Sequence, residues 1–429
     1  MKLGRRQFIL GGAACATGGL LLPRIAQAQT VAGKRLIVVM IRGGWDPVVA
    51  LDPKEAGPGV SIPEGQIAPV AETSIYDASA TDGAVLNYFQ QHGDVTAIIR
   101  GMTVASVAHE ACTRRILTGT PAATSPDMAA IAAAANGSEY PLPYMIMGQS
   151  AFTGPYSAQS GRVGSSNQLV TVLDGDQRFT SELGAAQTHY PSADEHEAVR
   201  AFLRGRADRL KERRAQYGAN AKRVEDYLTS MRTQARLTSY AGVLGGVGSS
   251  VEFNNQIDIA IDMLEQDVVW SVAMDPGLDW DTHTNSHEDQ TASCRAFFPG
   301  LARLVEALKT RRGSGGGRLI DETVVAVVSE MGRTPMLNED SGKDHWQITS
   351  ALVIGGDVRG GRAFGKSTDT GDSEGVLKSA PVDFSTGLPS ETGRHLESAD
   401  FVAGILDWVG ADYRPFLPNA TPFRPWVIG

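Results

Sequence analysis

The chain has 429 residues, 42% of them hydrophobic and 20% charged, which is ordinary for a globular protein with a sizeable core, in one large α/β domain or two smaller ones. Its formal net charge is −9; residues 1–28 hold four basic residues and no acid, so the remainder has 35 basic against 48 acidic residues, or −13, which argues against nucleic acid as a partner. Cys15, Cys112 and Cys294 are the only cysteines, and Cys15 falls in the leader, so the mature chain has at most one disulfide and is no disulfide scaffold.

Gly4-Arg5-Arg6-Gln7-Phe8-Ile9 resembles the twin-arginine export motif. An apolar Gly/Ala-rich stretch follows over 9–22, shorter than the ~20 residues of a spanning helix. Ala26-Gln27-Ala28 then offers small residues for a signal peptidase. Residues 1–28 are expected to be a twin-arginine signal peptide, which implies a bacterial periplasmic or extracellular address. No segment of residues 29–429 reads as a membrane span.

The first buried strand is predicted over 34–41 (KRLIVVMI), stopped by Arg42-Gly43-Gly44-Trp45-Asp46-Pro47. A helix at 85–92 and a second strand at 95–99 follow. Residues 106–119 form a helix that Ser106 is placed to cap and Gly119 to stop. Residues 192–237 are dense in charge at helical spacing and predict two long amphipathic helices broken near Gly218, inserted at about 192–240. A third strand at 268–273 leads into Asp281-Thr282-His283. After a strong helix comes an apolar Val-rich run at 323–329, too short for a helix and too unbroken for a half-exposed strand. A last helix begins near Ser398. Strands alternating with helices predict an α/β fold with a mostly parallel sheet covered on both faces.

Polar, ligand-capable residues collect beside these strands: Asp46; His109; Asp281 with His283; and Glu330 with Asp344 and His345. In open α/β sheets, sites form outside the carboxyl ends of the strands. Carboxylates with imidazoles suit Zn²⁺, Mn²⁺ or Fe, whereas carboxylates alone suit Ca²⁺ or Mg²⁺. Each residue has a plainer reading. Asp46 fits a turn cap, and Asp281 and His283 fit a loop pair. Arg333 fits either bidentate binding of an anionic substrate or a structural salt bridge. His109 fits a metal ligand, a general base, a phosphoryl acceptor, or a satisfied buried histidine. Trp45 and Trp280 fit either a wall around the site or the core.

Arg42-Gly43-Gly44-Trp45-Asp46, Trp280-Asp281-Thr282-His283, Ser329-Glu330-Met331-Gly332-Arg333-Thr334-Pro335 and Asp344-His345 followed by Gly355-Gly356 resemble domain-of-unknown-function family 1501, within the alkaline phosphatase and sulfatase superfamily. The resemblance implies an alkaline-phosphatase-like α/β/α sandwich over 29–429, with metal at the strand ends. It makes Asp46 and Glu330 ligands of one metal, and Asp281, His283 and His345 ligands of another. Met331 stands where the superfamily has a histidine. Counted back from Ile116-Leu117-Thr118-Gly119, His109 takes the place of the sulfatases' modified cysteine. Asp344 is expected to orient His345.

Two functions are carried forward. One is an exported hydrolase acting on a small anionic phosphate or sulfate ester, with one or two divalent ions (Zn, Mn, Ca or Mg) and with His109 and Arg333 in the chemistry. The other is a non-catalytic periplasmic protein that keeps the fold and serves an envelope partner, favoured by Met331 and the missing Ser, Thr or Cys nucleophile.

Overall fold

The Val- and Ile-rich runs become the buried centre of one eight-stranded sheet. The computed structural model describes residues 33–163, 192–213, 219–237, 252–368 and 376–428; the expected signal peptide at 1–28 lies outside them. The strands are β1 (Arg35–Ile41), β2 (Gly65–Val70), β3 (Thr73–Ala78), β4 (Thr96–Thr103), β5 (Leu142–Ile146), β6 (Ser160–Arg162), β7 (Val269–Met274), β8 (Thr323–Ser329), β9 (Gly332–Arg333), β10 (His345–Trp346), β11 (Ile348–Ile354) and β12 (Arg362–Gly365). The main sheet runs β12-β4-β11-β8-β1-β7-β5-β6. All its pairings are parallel except those of β11, which lies antiparallel to both β4 and β8.

The helices are α1 (Ala84–His92), α2 (His109–Thr118), α3 (Met128–Asn136), α4 (Ala193–Arg213), α5 (Ala219–Leu237), α6 (Phe253–Glu265), α7 (Ser286–Thr310) and α8 (Ser398–Trp408). Alternation along β1 separates two cores, as the period-2 geometry of a strand requires. Ile37, Val39 and Ile41 pack with Ile257 and Ile261 of α6 and Phe297 and Leu301 of α7. Leu36, Val38 and Met40 pack with Ile116 of α2, Ile131 of α3 and Phe401 of α8. The result is a helix–sheet–helix sandwich, a mixed α/β fold with a mostly parallel sheet. Trp45 and Trp280 are buried in the first core, edge to face at 6.4 Å between ring centroids, so they are packing residues. Both described cysteines, Cys112 and Cys294, are free and buried.

Ser106 does not cap α2. The residue before the helix is Ala108, which supplies no side-chain cap, and Ser106 Oγ instead accepts from the Ala108 amide in the turn before it. Helix α4 packs on α5, and α5 on the turn at 154–159.

Candidate metal centre

The direction of β11 assembles the site. Parallel β1, β7, β8 and β4 all finish on one rim of the sheet. Because β11 runs the other way, the residues just before it, His345 and Trp346 of β10, land on that same rim. His109 reaches it as the first residue of α2, on the chain leaving β4. Asp281 and His283 reach it on the loop leaving β7. Gly43 permits the close fit: its φ of +95° is a left-handed conformation that an L side chain rarely adopts, and a Cβ there would overlap the Asp281 backbone nitrogen.

Three imidazoles converge on the Asp281 carboxylate. His345 Nε2 is 3.2 Å from Asp281 Oδ1, His283 Nε2 is 3.3 Å from the same oxygen, and His109 Nε2 is 3.3 Å from Oδ2. One donor atom each from His109, Asp281 and His345 lies within 4.8 Å of the others. The opposite ring nitrogens face acceptors. His345 Nδ1 is 2.7 Å from the Val107 carbonyl, His283 Nδ1 is 3.1 Å from Asp344 Oδ1, and His109 Nδ1 is 3.0 Å from Glu330 Oε1. A carbonyl or ionised carboxylate can only accept, so each Nδ1 donates to its partner on the far side of the ring from Asp281. Histidines that bind metal are held in this way, by a donated N–H on the far side of the ring. The donor set therefore fits one divalent cation.

Asp281 is also tied to Arg333, whose Nη2 donates to its Oδ1 at 2.5 Å. Partial burial alone would push this carboxyl up, but the hydrogen bond and charge of Arg333, aided by His345 and His109, outweigh it and hold the group below its ordinary value. A cleft of about 990 Å³ opens beside the cluster, lined among others by Arg42, His109, Glu110, Phe152, Asp279 and Asp281.

Several expected roles change. Asp46 is not brought to the cluster. Its carboxylate accepts from Lys343 Nζ at 2.5 Å, both side chains having no solvent exposure, and it also accepts from the Val48 amide as a turn cap. A carboxylate neutralised by a buried ammonium has no charge to offer a second ion. Glu330 does not stand as a ligand either. Its Oε1 accepts from the Gly43 amide and faces His109, and its Oε2 accepts from Thr113 Oγ1 at 2.6 Å, so it orients His109. Arg333 has no exposed side-chain surface with which to touch a substrate. Besides Asp281 it donates to the carbonyls of Gly43, Gly44 and Lys343, tying three site loops together. Asp344 orients His283 rather than its neighbour His345.

Gln290 of α7 was not among the residues the sequence singled out. Fully buried, it accepts from the Asp46 amide and donates to the carbonyls of Gly44 and Trp280 and to Thr282 Oγ1. The available signal was a glutamine on the apolar stripe of that helix, four residues before Cys294. His287, by contrast, sits away from the cluster, 3.5 Å from Ser61 Oγ.

An α/β sandwich with an imidazole-rich cluster at one rim of its sheet, fit to hold a cation, is the class these observations define. Residues 33–393 match the family described as "Protein of unknown function (DUF1501)", and the chain belongs to that family. No curated protein sequence matches it. Its path is similar to those of several solved structures. One is a protein in the alkaline phosphatase superfamily from Vibrio parahaemolyticus, with 10% identity, covering 89% of this chain and 67% of that one at a TM-score of 0.39. Another is a phosphonate monoester hydrolase from Silicibacter pomeroyi, with 12% identity, covering 91% and 78% at 0.34. A third is the zinc complex of a C-terminal periplasmic domain from Escherichia coli, with 9% identity, covering 92% and 87% at 0.39. No described helix is long and apolar enough to cross a membrane.

Proposed function

We propose that this chain is an exported, metal-dependent hydrolase of a phosphate or sulfate ester, using one divalent cation held by Asp281, His283, His345 and His109. The observation that carries this reading is the convergence of three Nε2 atoms on one carboxylate, each imidazole oriented from behind. Imidazole-rich donors favour Zn²⁺ or Mn²⁺ over Ca²⁺ and Mg²⁺. A bound cation supplies Lewis acidity toward an ester oxygen. The chain's own residues do the rest. Arg333 fixes Asp281, Asp344 fixes His283, and Glu330 with Thr113 fixes His109 where the cluster meets the cleft. With Nε2 turned to the cation and Nδ1 donating to Glu330, His109 serves as a ligand and not as a proton carrier.

The leader motif at Arg5-Arg6 and Ala26-Gln27-Ala28 supports export through the twin-arginine route. The test is turnover of aryl phosphates, phosphonates and sulfates by the purified metal-loaded protein, abolished by chelation and by His283→Ala. A second reading is favoured by one fact. The cysteine nearest His109 in sequence, Cys112, has a buried thiol that burial pushes up, which leaves it a poor nucleophile. A fully metal-loaded protein that turns over none of these esters would identify a metal-binding protein of the envelope that keeps the fold without the reaction.

A further inference from the structure

We infer that the outer helix α4 is a self-association surface, on which a second copy of this chain packs its own α4 in antiparallel fashion across Phe202. This goes beyond the reading of the metal centre and does not depend on it.

Helix α4 turns Ala207 inward and leaves Val199 at 55% and Phe202 at 61% exposure. These two lie three residues apart on one face, which continues through Glu195 and Ala198 on one side and Gly205, Arg206 and Arg209 on the other. A phenylalanine left in water forgoes the hydrophobic gain of burial. Charge along the helix is uneven. Asp194, Glu195 and Glu197 hold the start, followed by Arg200, and Arg204, Arg206, Arg209, Lys211 and Arg213 crowd the later turns against Asp208 and Glu212. That polarity favours the helix dipole by itself, but the dipole gives no reason for a bare Phe202.

An antiparallel copy accounts for both. About a two-fold axis through Phe202, each aromatic ring covers the other. Glu195 and Arg209 lie at equal distances in sequence on either side of residue 202, so each Glu195 faces the Arg209 of the other copy. Ala198 faces Arg206. Val199 faces Gly205, which has no side chain to oppose it. A parallel copy would set acid on acid and base on base. Self-complementary surfaces of this kind define two-fold dimers. One helix face buries less than the about 1,200 Å² of stable complexes, so the association is a weak one.

The experiment is sedimentation velocity on the purified protein at concentrations up to about 100 μM. A dimer is expected, and Phe202→Glu should weaken it roughly tenfold or more with an unchanged circular dichroism spectrum and unchanged metal content. Mixing Ala198→Cys with Arg206→Cys under oxidation should give a crosslinked pair of the two variants. A protein monomeric throughout that range, a Phe202→Glu variant that dimerises as well as the parent, or Ala198→Cys crosslinking only to itself would overturn the proposal.

Discussion

His283 and His345 point their Nε2 atoms at one another across 2.9 Å while the Nδ1 of each faces an acceptor, the Asp344 carboxylate in one case and the Val107 carbonyl in the other. At that distance either one Nε2 donates its hydrogen to the other, or both lone pairs serve one cation. The second case is the one that the proposed metal binding requires. Zn²⁺ or Mn²⁺ is expected to bind at one equivalent per chain, read by elemental analysis after dialysis. At free metal about one hundred times Kd, binding should add about 2.7 kcal/mol to stability, seen as a rise in Tm that chelator reverses. His345→Ala should remove both the metal and the rise; two equivalents in the parent protein would contradict a single centre.

Glu330 acts on the cluster through His109, and its loss should show as weakened binding rather than as a missing ligand. Glu330→Gln keeps the shape and the bond from Thr113, but its amide can present a donor to His109 Nδ1 and gives up the charge that fixes the tautomer. Outer partners of metal-bound histidines are worth about 10- to 100-fold in affinity. A loss in that range by metal titration, with stoichiometry still at one, is expected. An affinity equal to the parent's would show that His109 takes no part in holding the ion.

The Asp46–Lys343 pair is a structural element beneath the site. Breaking a fully buried pair on one side strands a charge and costs about 3–5 kcal/mol. Lys343→Met should lower denaturant stability by that order, and Lys343→Met combined with Asp46→Asn should recover much of the loss. The double variant should still bind one equivalent of metal. Loss of metal from Asp46→Asn alone would return Asp46 to the ligand set.

Much of the sheet was legible because 34–41 and 323–329 are continuous apolar runs of strand length, a pattern that burial on both faces imposes. The residue types of the centre were legible too, since Asp281 and His283 share a short loop after a strand. Three things were not. The direction of β11 is a tertiary choice, so nothing in 343–354 told that His345 precedes a strand opposed to its neighbours. Lys343 meets Asp46 across 297 positions, and local sequence says nothing of an ammonium buried that far away. Arg333 has the composition of a substrate clamp, and only its burial under Gly43, Gly44 and Lys343 assigns it to holding loops together.

Asp127 gives the fold a pH dependence remote from the metal centre. It caps α3 by accepting from Ala130, and its other oxygen accepts from the Phe152 amide and from Tyr144 Oη, anchoring the loop at 148–152 on the cleft wall. Burial pushes its carboxyl up from 3.8 to about 6, against the pull of these hydrogen bonds. The folded state thus holds this proton more tightly than the unfolded chain does. Its contribution to stability is fully present below the unfolded pKa and is lost as pH rises through about 6. Each tenfold difference in proton affinity between the folded and unfolded chain is worth about 1.4 kcal/mol, so the loss is on the order of 3 kcal/mol. Urea denaturation of the parent protein between about pH 4 and pH 7 should show this falling component. Asp127→Asn, which cannot titrate, should flatten the profile over that window while lowering stability at acid pH, because its amide keeps the cap on Ala130 but no longer accepts from Phe152 and Tyr144. An Asp127→Asn variant whose pH profile parallels the parent's would show that the buried carboxyl is not the group responsible.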